Sequence, residues 1–142
     1  GWRSCETLGQ PILWSRHRRY LWIVIGLCLT GLAFFIDALP AATALHALTI
    51  GAIGGMTWAM MSRVALGHTG RSLTVTRPIV AAYTLVSFAA LIRLIAPFTP
   101  QAGMDYGDMI ALSAIFWCTA FTIFTIVYAP ILARPRADGR AG

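Results

Sequence analysis

Four apolar stretches, each close to the length of a bilayer-crossing helix, govern what this chain can become: Tyr20 to about Ile36 (YLWIVIGLCLTGLAFFI), about Ala41 to Met61, Pro78 to Ala96 and Met109 to Leu132. A hydrocarbon core takes about 20 residues of helix. With no water there, every backbone N–H and C=O must be satisfied inside a helix or a closed barrel. The stretches show no period-two alternation, which argues against spanning strands. The sequence therefore predicts an all-α integral membrane protein, a hairpinned bundle of four transmembrane helices forming a single membrane domain over residues 1–142. Composition agrees, because 58% of the residues are hydrophobic and 11% charged, and the mean hydropathy is +0.72. Those values exclude an ordinary water-soluble domain and a disordered chain.

Punctuation falls where helices should begin and end. Pro40 and Pro78 stand at predicted helix starts, where a missing N–H is harmless, and Pro97, Pro100 and Pro135 follow predicted ends. Pro130 is expected to kink or end the fourth helix. The three cysteines, Cys5, Cys28 and Cys118, form no CxxC pair. Scattered in this way they argue against a disulfide-stapled domain, and Cys28 and Cys118 are expected as small buried side chains.

Charge sets the expected orientation. All eleven basic residues are arginines, and the formal net charge is +6. In a soluble chain such a balance suggests nucleic acid. Here ten of the eleven arginines lie before the first stretch (Arg3, Arg16, Arg18, Arg19), between the second and third (Arg63, Arg71, Arg77), or in the tail (Arg134, Arg136, Arg140). The other two loops hold Asp37, Asp105 and Asp108 and no basic residue. The positive-inside rule then places both termini and the central loop in the cytoplasm, so the expected partner is the lipid bilayer and not nucleic acid. Arg93 is the exception. It reads either as an anchor snorkelling to the far interface or as a charge paired with Asp105, Asp108 or a cofactor carboxylate. The chain opens on Gly1 without a signal-peptide pattern, and is expected to be a C-terminal fragment of a longer polytopic protein.

The second stretch carries most of the chemistry. Ala47, Gly51, Gly55 and Ala59 recur every four residues, placing small side chains on one helical face where another backbone can approach closely. The gap at Gly51 and Gly55 serves helix packing or association with a second copy, and equally admits the flat face of a macrocycle. His46 lies beside that ladder, with Thr49, Thr57 and Met60 on its face. Its imidazole is either satisfied by hydroxyls and interfacial water or is a haem or copper ligand. His68 is expected in the inner loop between Gly67 and Gly70, and His17, just ahead of the first span, on the same side. His46 and His68 are separated by roughly 30 Å if the segment between them is helical, so they do not share one metal. Met56 and Met60, four apart, would suit Cu(I), but core packing is the preferred reading. No phosphate-binding loop, catalytic triad or zinc motif is present.

The run from His46 through Gly54-Gly55-Met56-Thr57-Trp58 to Arg63, continued by Leu66-Gly-His-Thr-Gly-Arg71, resembles the signature of the NnrS family, bacterial inner-membrane proteins with many more helices. The likeness extends through Pro11-Ile-Leu-Trp14 with His17, Tyr83-Thr-Leu-Val86 with Ala89-Ala-Leu-Ile-Arg93, and the tail from Tyr128 to Arg140, and so corresponds to the C-terminal third of such a protein. The resemblance implies bound haem and copper and a link to nitric oxide. It favours His46, His68 and His17 as metal ligands, and Arg63, Arg71 and Arg93 as intramembrane or interfacial cations.

The expected function is therefore that of a haem, or haem–copper, protein of the bacterial inner membrane acting in the response to nitric oxide and nitrosative stress. Absence of CxxCH argues for non-covalent b-type haem. Its expected partners are the remaining helices of the longer protein and nitric oxide. The rival reading is a metal-free packing module, a transporter half or an assembly scaffold, in which Gly54-Gly55 only packs or breaks a helix.

Overall fold

The computed structural model describes the backbone of residues 11–139 and the side chains of residues 20–139. Among the described residues there is no strand, and four helices carry the fold: α1 (Pro11–Ala33), α2 (Ala41–His68), α3 (Arg77–Ile95) and α4 (Tyr106–Leu132). Three of them, counting the 3₁₀ turn that prolongs α3 to Phe98, are long and apolar enough to cross a membrane. Among the described residues the apolar part of α1 runs from Tyr20 to Ala33, ending short of the expected Ile36, and Phe34, Phe35 and Ile36 form an exposed turn. The chain must reverse before Pro40, whose extended backbone (φ −63°, ψ 134°) precedes α2.

Each later boundary has a local cause. Pro78 lies in the first turn of α3. Asp105 caps α4 by accepting a hydrogen bond from the Asp108 backbone N–H at 3.1 Å, so that helix begins at Tyr106, ahead of the expected Met109. Pro130 lies inside α4, which ends two residues later at Leu132. A proline this close to the C-terminus removes one hydrogen bond from the last turn and leaves the rest intact.

Helix α2 runs past the expected Met61 to His68, which moves Arg63 and His68 from the anticipated loop onto the helix. Gly70, just after it, takes a left-handed backbone (φ 68°). The middle of α2, Ala47–Gly54, is wound as a π-helix between α-helical flanks. Such segments shift the hydrogen-bond register and recur at functional sites. Ala47 and Ala52, five residues apart, are both buried in consequence.

Two apolar clusters hold the bundle together. Trp22, Ala47, Ala52 and Ala90 form one. Trp58, Ala65, Leu66, Ile79, Ala82, Tyr83, Val86, Ala120 and Tyr128 form the other. Helices α1 and α2 interlock reciprocally: Leu48 fills the space at Gly26, and the Trp22 indole covers Gly51. Helices α3 and α4 form a close hairpin, fixed by the buried Ser113 hydroxyl donating to the Ala89 carbonyl at 2.8 Å.

Outward faces are apolar. Leu21, Val24, Leu27, Ile53, Met60, Ile115 and Ile126 are all exposed, and only 11% of the most apolar window of α4 is buried within the bundle. Such a surface needs an apolar surround. Two expectations are corrected here. Met56 and Met60 are not core residues but are 38% and 62% exposed on the flank of α2, and Cys28 and Cys118 face outward instead of inward. An all-apolar helix has no polar stripe to reveal which face packs, so sequence alone does not separate lipid-facing from core positions.

Candidate functional site

The antiparallel hairpins divide the chemistry between two ends of the bundle. His46 and Arg93 lie toward the end that carries Asp37, Asp105 and Asp108; His68, Arg71 and the tail lie at the other. His46 and His68 stand near opposite ends of the single helix Ala41–His68, some 30 Å apart at about 1.5 Å per residue. His17 belongs to the first turns of α1, toward the His68 end; its side chain lies outside the described residues. Among the described residues no three His, Cys, Asp or Glu side chains gather into a metal-binding group. His46 and His68 therefore do not share one metal.

At the His68 end the signature residues hold the tail in place. Arg71 donates to the carbonyls of Thr69 and Ile131, each at 3.4 Å. The Ile131 carbonyl needs such a donor, because the residue four positions on is Pro135 and has no N–H. Arg136 donates to the His68 carbonyl at 3.2 Å and forms an ion pair with Asp138 at 2.6 Å. That hydrogen bond, aided by the Asp138 charge, holds the Arg136 pKa above its ordinary value. The Ala137 N–H donates to the Thr69 carbonyl at 2.9 Å. His68 itself is exposed, and so is Arg63. A Cβ at Gly70 would lie 2.7 Å from the Asp138 Oδ1 in a backbone region that disfavours side chains. Gly70→Ala is accordingly expected to destabilise the protein by about 1–2 kcal/mol, checked by thermal unfolding in detergent.

The His46 end differs, because its polar groups are left open. His46 is half-buried, and Arg93 lies within electrostatic reach of it. Arg93 is half-buried too, and its Nε is buried without a hydrogen-bond partner among the described residues. The expected pairing with Asp105 or Asp108 does not form. Asp105 caps α4 instead, and the ion pair seen among the described residues is Arg136–Asp138. Burial of Nε seats the Arg93 stem against the bundle, an arrangement compatible with a snorkelling arginine.

Thr43 joins this group, although its residue type alone does not set it apart from the other helical threonines. It precedes His46 by three positions and shares its helical face. It is only 2% exposed, and its hydroxyl has no partner among the described residues. Ser62, Thr84, Ser87 and Thr125 each donate to the carbonyl four residues back. Thr43 has no such acceptor, because four residues back lies Leu39, ahead of Pro40 and the helix. A threonine in the first turn after a helix-starting proline was the available signal.

Gly51, expected to open a gap for a macrocycle or a second copy, is buried beneath Trp22; Gly55 is buried as well. At this level the ladder therefore packs helices within the chain. An apolar groove of about 600 Å³ runs between the end of α1 and the start of α2, lined by Thr30, Phe34, Ala41, Leu45 and Leu48. It opens on the face of α2 turned away from Thr43.

Compared with protein families, residues 1–136 match the NnrS protein family. The chain belongs to the NnrS family. No curated protein and no solved structure matches it. NnrS membership places the chain among nitric-oxide-related membrane haem or metal proteins at the level of the family, in keeping with three helices able to cross a bilayer. The groups at the His46 end fit such a cofactor: a histidine offers a ring nitrogen to iron or copper, and a guanidinium whose Nε has no hydrogen-bond partner among the described residues offers charge to an anionic substituent.

Proposed function

We propose that this NnrS chain contributes one side of a haem site, in the bacterial inner membrane, of a protein acting in the response to nitric oxide, with His46 as the metal ligand. The observation that supports this reading is the position of His46: a half-buried imidazole in the membrane part of α2, beside an arginine with no counter-ion among the described residues. Histidines inside membrane segments are rare and mark function by default.

Bound non-covalently as b-type haem, the iron would supply an open position for a diatomic ligand. The chain's own residues orient and shield it. His46 presents a neutral ring nitrogen from the turn just before the π-helical segment. Trp22, Ala47, Ala52 and Ala90 close the interior beneath that turn and keep water out. Nitric oxide is small and uncharged, and reaches such a site through the bilayer. The remaining helices of a longer protein would supply the second side, and any copper would take ligands from them. His68 and His17, at the far end, fall outside this site, and both termini are assigned to the cytoplasm on the arginine distribution.

The test is metal analysis and a reduced-minus-oxidised spectrum of detergent-purified full-length protein, with and without NO. Iron with an NO-shifted Soret band is the expected result. His46→Ala is expected to lower bound iron roughly tenfold or more, given that even partners that only orient a ligand contribute 10–100-fold, whereas His68→Ala is expected to retain it. A folded, metal-free protein would transfer the assignment to a packing module, transporter half or assembly scaffold, for which the Gly51–Trp22 contact is the supporting feature.

A further inference from the structure

Thr43 and Arg93 are brought to the same level by the packing of α2 on α3. Ala47 and Ala90 share one buried cluster. Because the helices are antiparallel, one turn from Ala47 toward the start of α2 is Thr43, and one turn from Ala90 toward the end of α3 is Arg93. Each carries a buried polar atom without a partner among the described residues, Thr43 Oγ1 and Arg93 Nε. A threonine hydroxyl donates one hydrogen bond and a guanidinium five. Arginine remains charged at any ordinary pH, so the missing partner is an acceptor, and an anionic one. Leaving a buried donor unsatisfied is costly, and more so for a charged group.

The geometry points to an anion-binding site in which Arg93 and Thr43 receive the oxygens of a carboxylate or phosphate between α2 and α3. Two sources carry that chemistry: the carboxylate of a porphyrin held by His46, in which case the site rests on the function proposed above, or the phosphate of an anionic lipid headgroup. Arg93 suits either, because its fork donates two parallel hydrogen bonds to such a group.

The experiment titrates metal-free, full-length protein in detergent with haemin and with haemin dimethyl ester, whose carboxylates are blocked. Wild-type protein is expected to bind haemin about tenfold tighter than the ester, in line with a charged hydrogen bond. Arg93→Gln is expected to abolish that preference while leaving ester affinity unchanged; Arg93→Lys restores part of it, and Thr43→Val weakens haemin binding severalfold. A second arm compares thermal unfolding in phosphatidylglycerol and phosphatidylcholine nanodiscs. A phosphatidylglycerol-specific stabilisation lost in Arg93→Gln, with haemin and ester bound alike, assigns the anion to lipid and supports the site. If Arg93→Gln and Thr43→Val fold and change neither comparison, the proposal is overturned. Failure of wild-type protein to bind either haemin form removes the His46 assignment and leaves the lipid arm to decide on Arg93.

Discussion

Leucine in place of Gly51 is expected to lower the stability of the bundle by about 3 kcal/mol, the upper part of the range for overpacking. A Cβ at this position would already lie 2.7 Å from Cε3 of the Trp22 indole, and a rigid ring cannot turn aside as a flexible side chain can. The whole α1–α2 contact must then shift, including the reciprocal insertion of Leu48 at Gly26. Gly31 and Gly67 are the controls, since nothing lies within 4 Å of a Cβ at either. Alanine there is expected to be neutral or to add about 0.5–1 kcal/mol through helix propensity. Unfolding midpoints in detergent separate the cases. Adding Trp22→Ala to Gly51→Leu should recover part of the loss, because two residues in contact do not act additively. A Gly51→Leu protein as stable as wild type would show that α1 does not seat on α2 as described.

Trp58→Ala is expected to cost about 3 kcal/mol or more, at the lower end of the range for large aromatic deletions. Trp58 is fully buried and meets Tyr83, Phe121 and Phe124 edge to face, with ring centroids 5.9, 5.3 and 4.9 Å away. In a membrane the transfer part of such a loss shrinks, because lipid tails are as apolar as the core. The loss of close contacts and the cavity left behind remain. Trp58→Phe provides the contrast. The indole Nε1 has no partner among the described residues, so phenylalanine gives up no hydrogen bond and removes an unsatisfied donor; its cost should be about 1 kcal/mol. A loss in Trp58→Phe equal to that in Trp58→Ala would mean that the indole N–H, and not ring packing, is what matters.

Helix content was legible because each apolar stretch exceeds the length of a core strand and lacks alternation. Boundaries were less so. Charge and glycine usually mark a loop, which puts the expected boundary ahead of Arg63 and His68, whereas α2 carries both beyond its apolar part. The π-helical winding leaves no mark in composition, since a change of hydrogen-bond register needs no special residue. The site was half legible. His46 and Arg93 stand out as polar residues in apolar surroundings, but their proximity depends on how α2 and α3 pack. Thr43 escaped notice because threonine inside a helix ordinarily bonds its own backbone. Its isolation follows from being one turn too early to do so.

The winding of Ala47–Gly54 also makes α2 a screw with two threads. The inner thread is seated by Trp58 and Ser62, both fully buried. The outer thread bears Thr43 and His46. An α-helix turns about 100° per residue, and a π segment absorbs extra residues into each turn. Rewinding it to α geometry therefore swings the outer thread about the axis by an angle on the order of 100° while the inner thread stays in place. The direction in which His46 faces is thus set by hydrogen-bond register across Ala47–Gly54, and that register is held by the burial of Thr43, Ala44 and Ala47 in the same half of the helix.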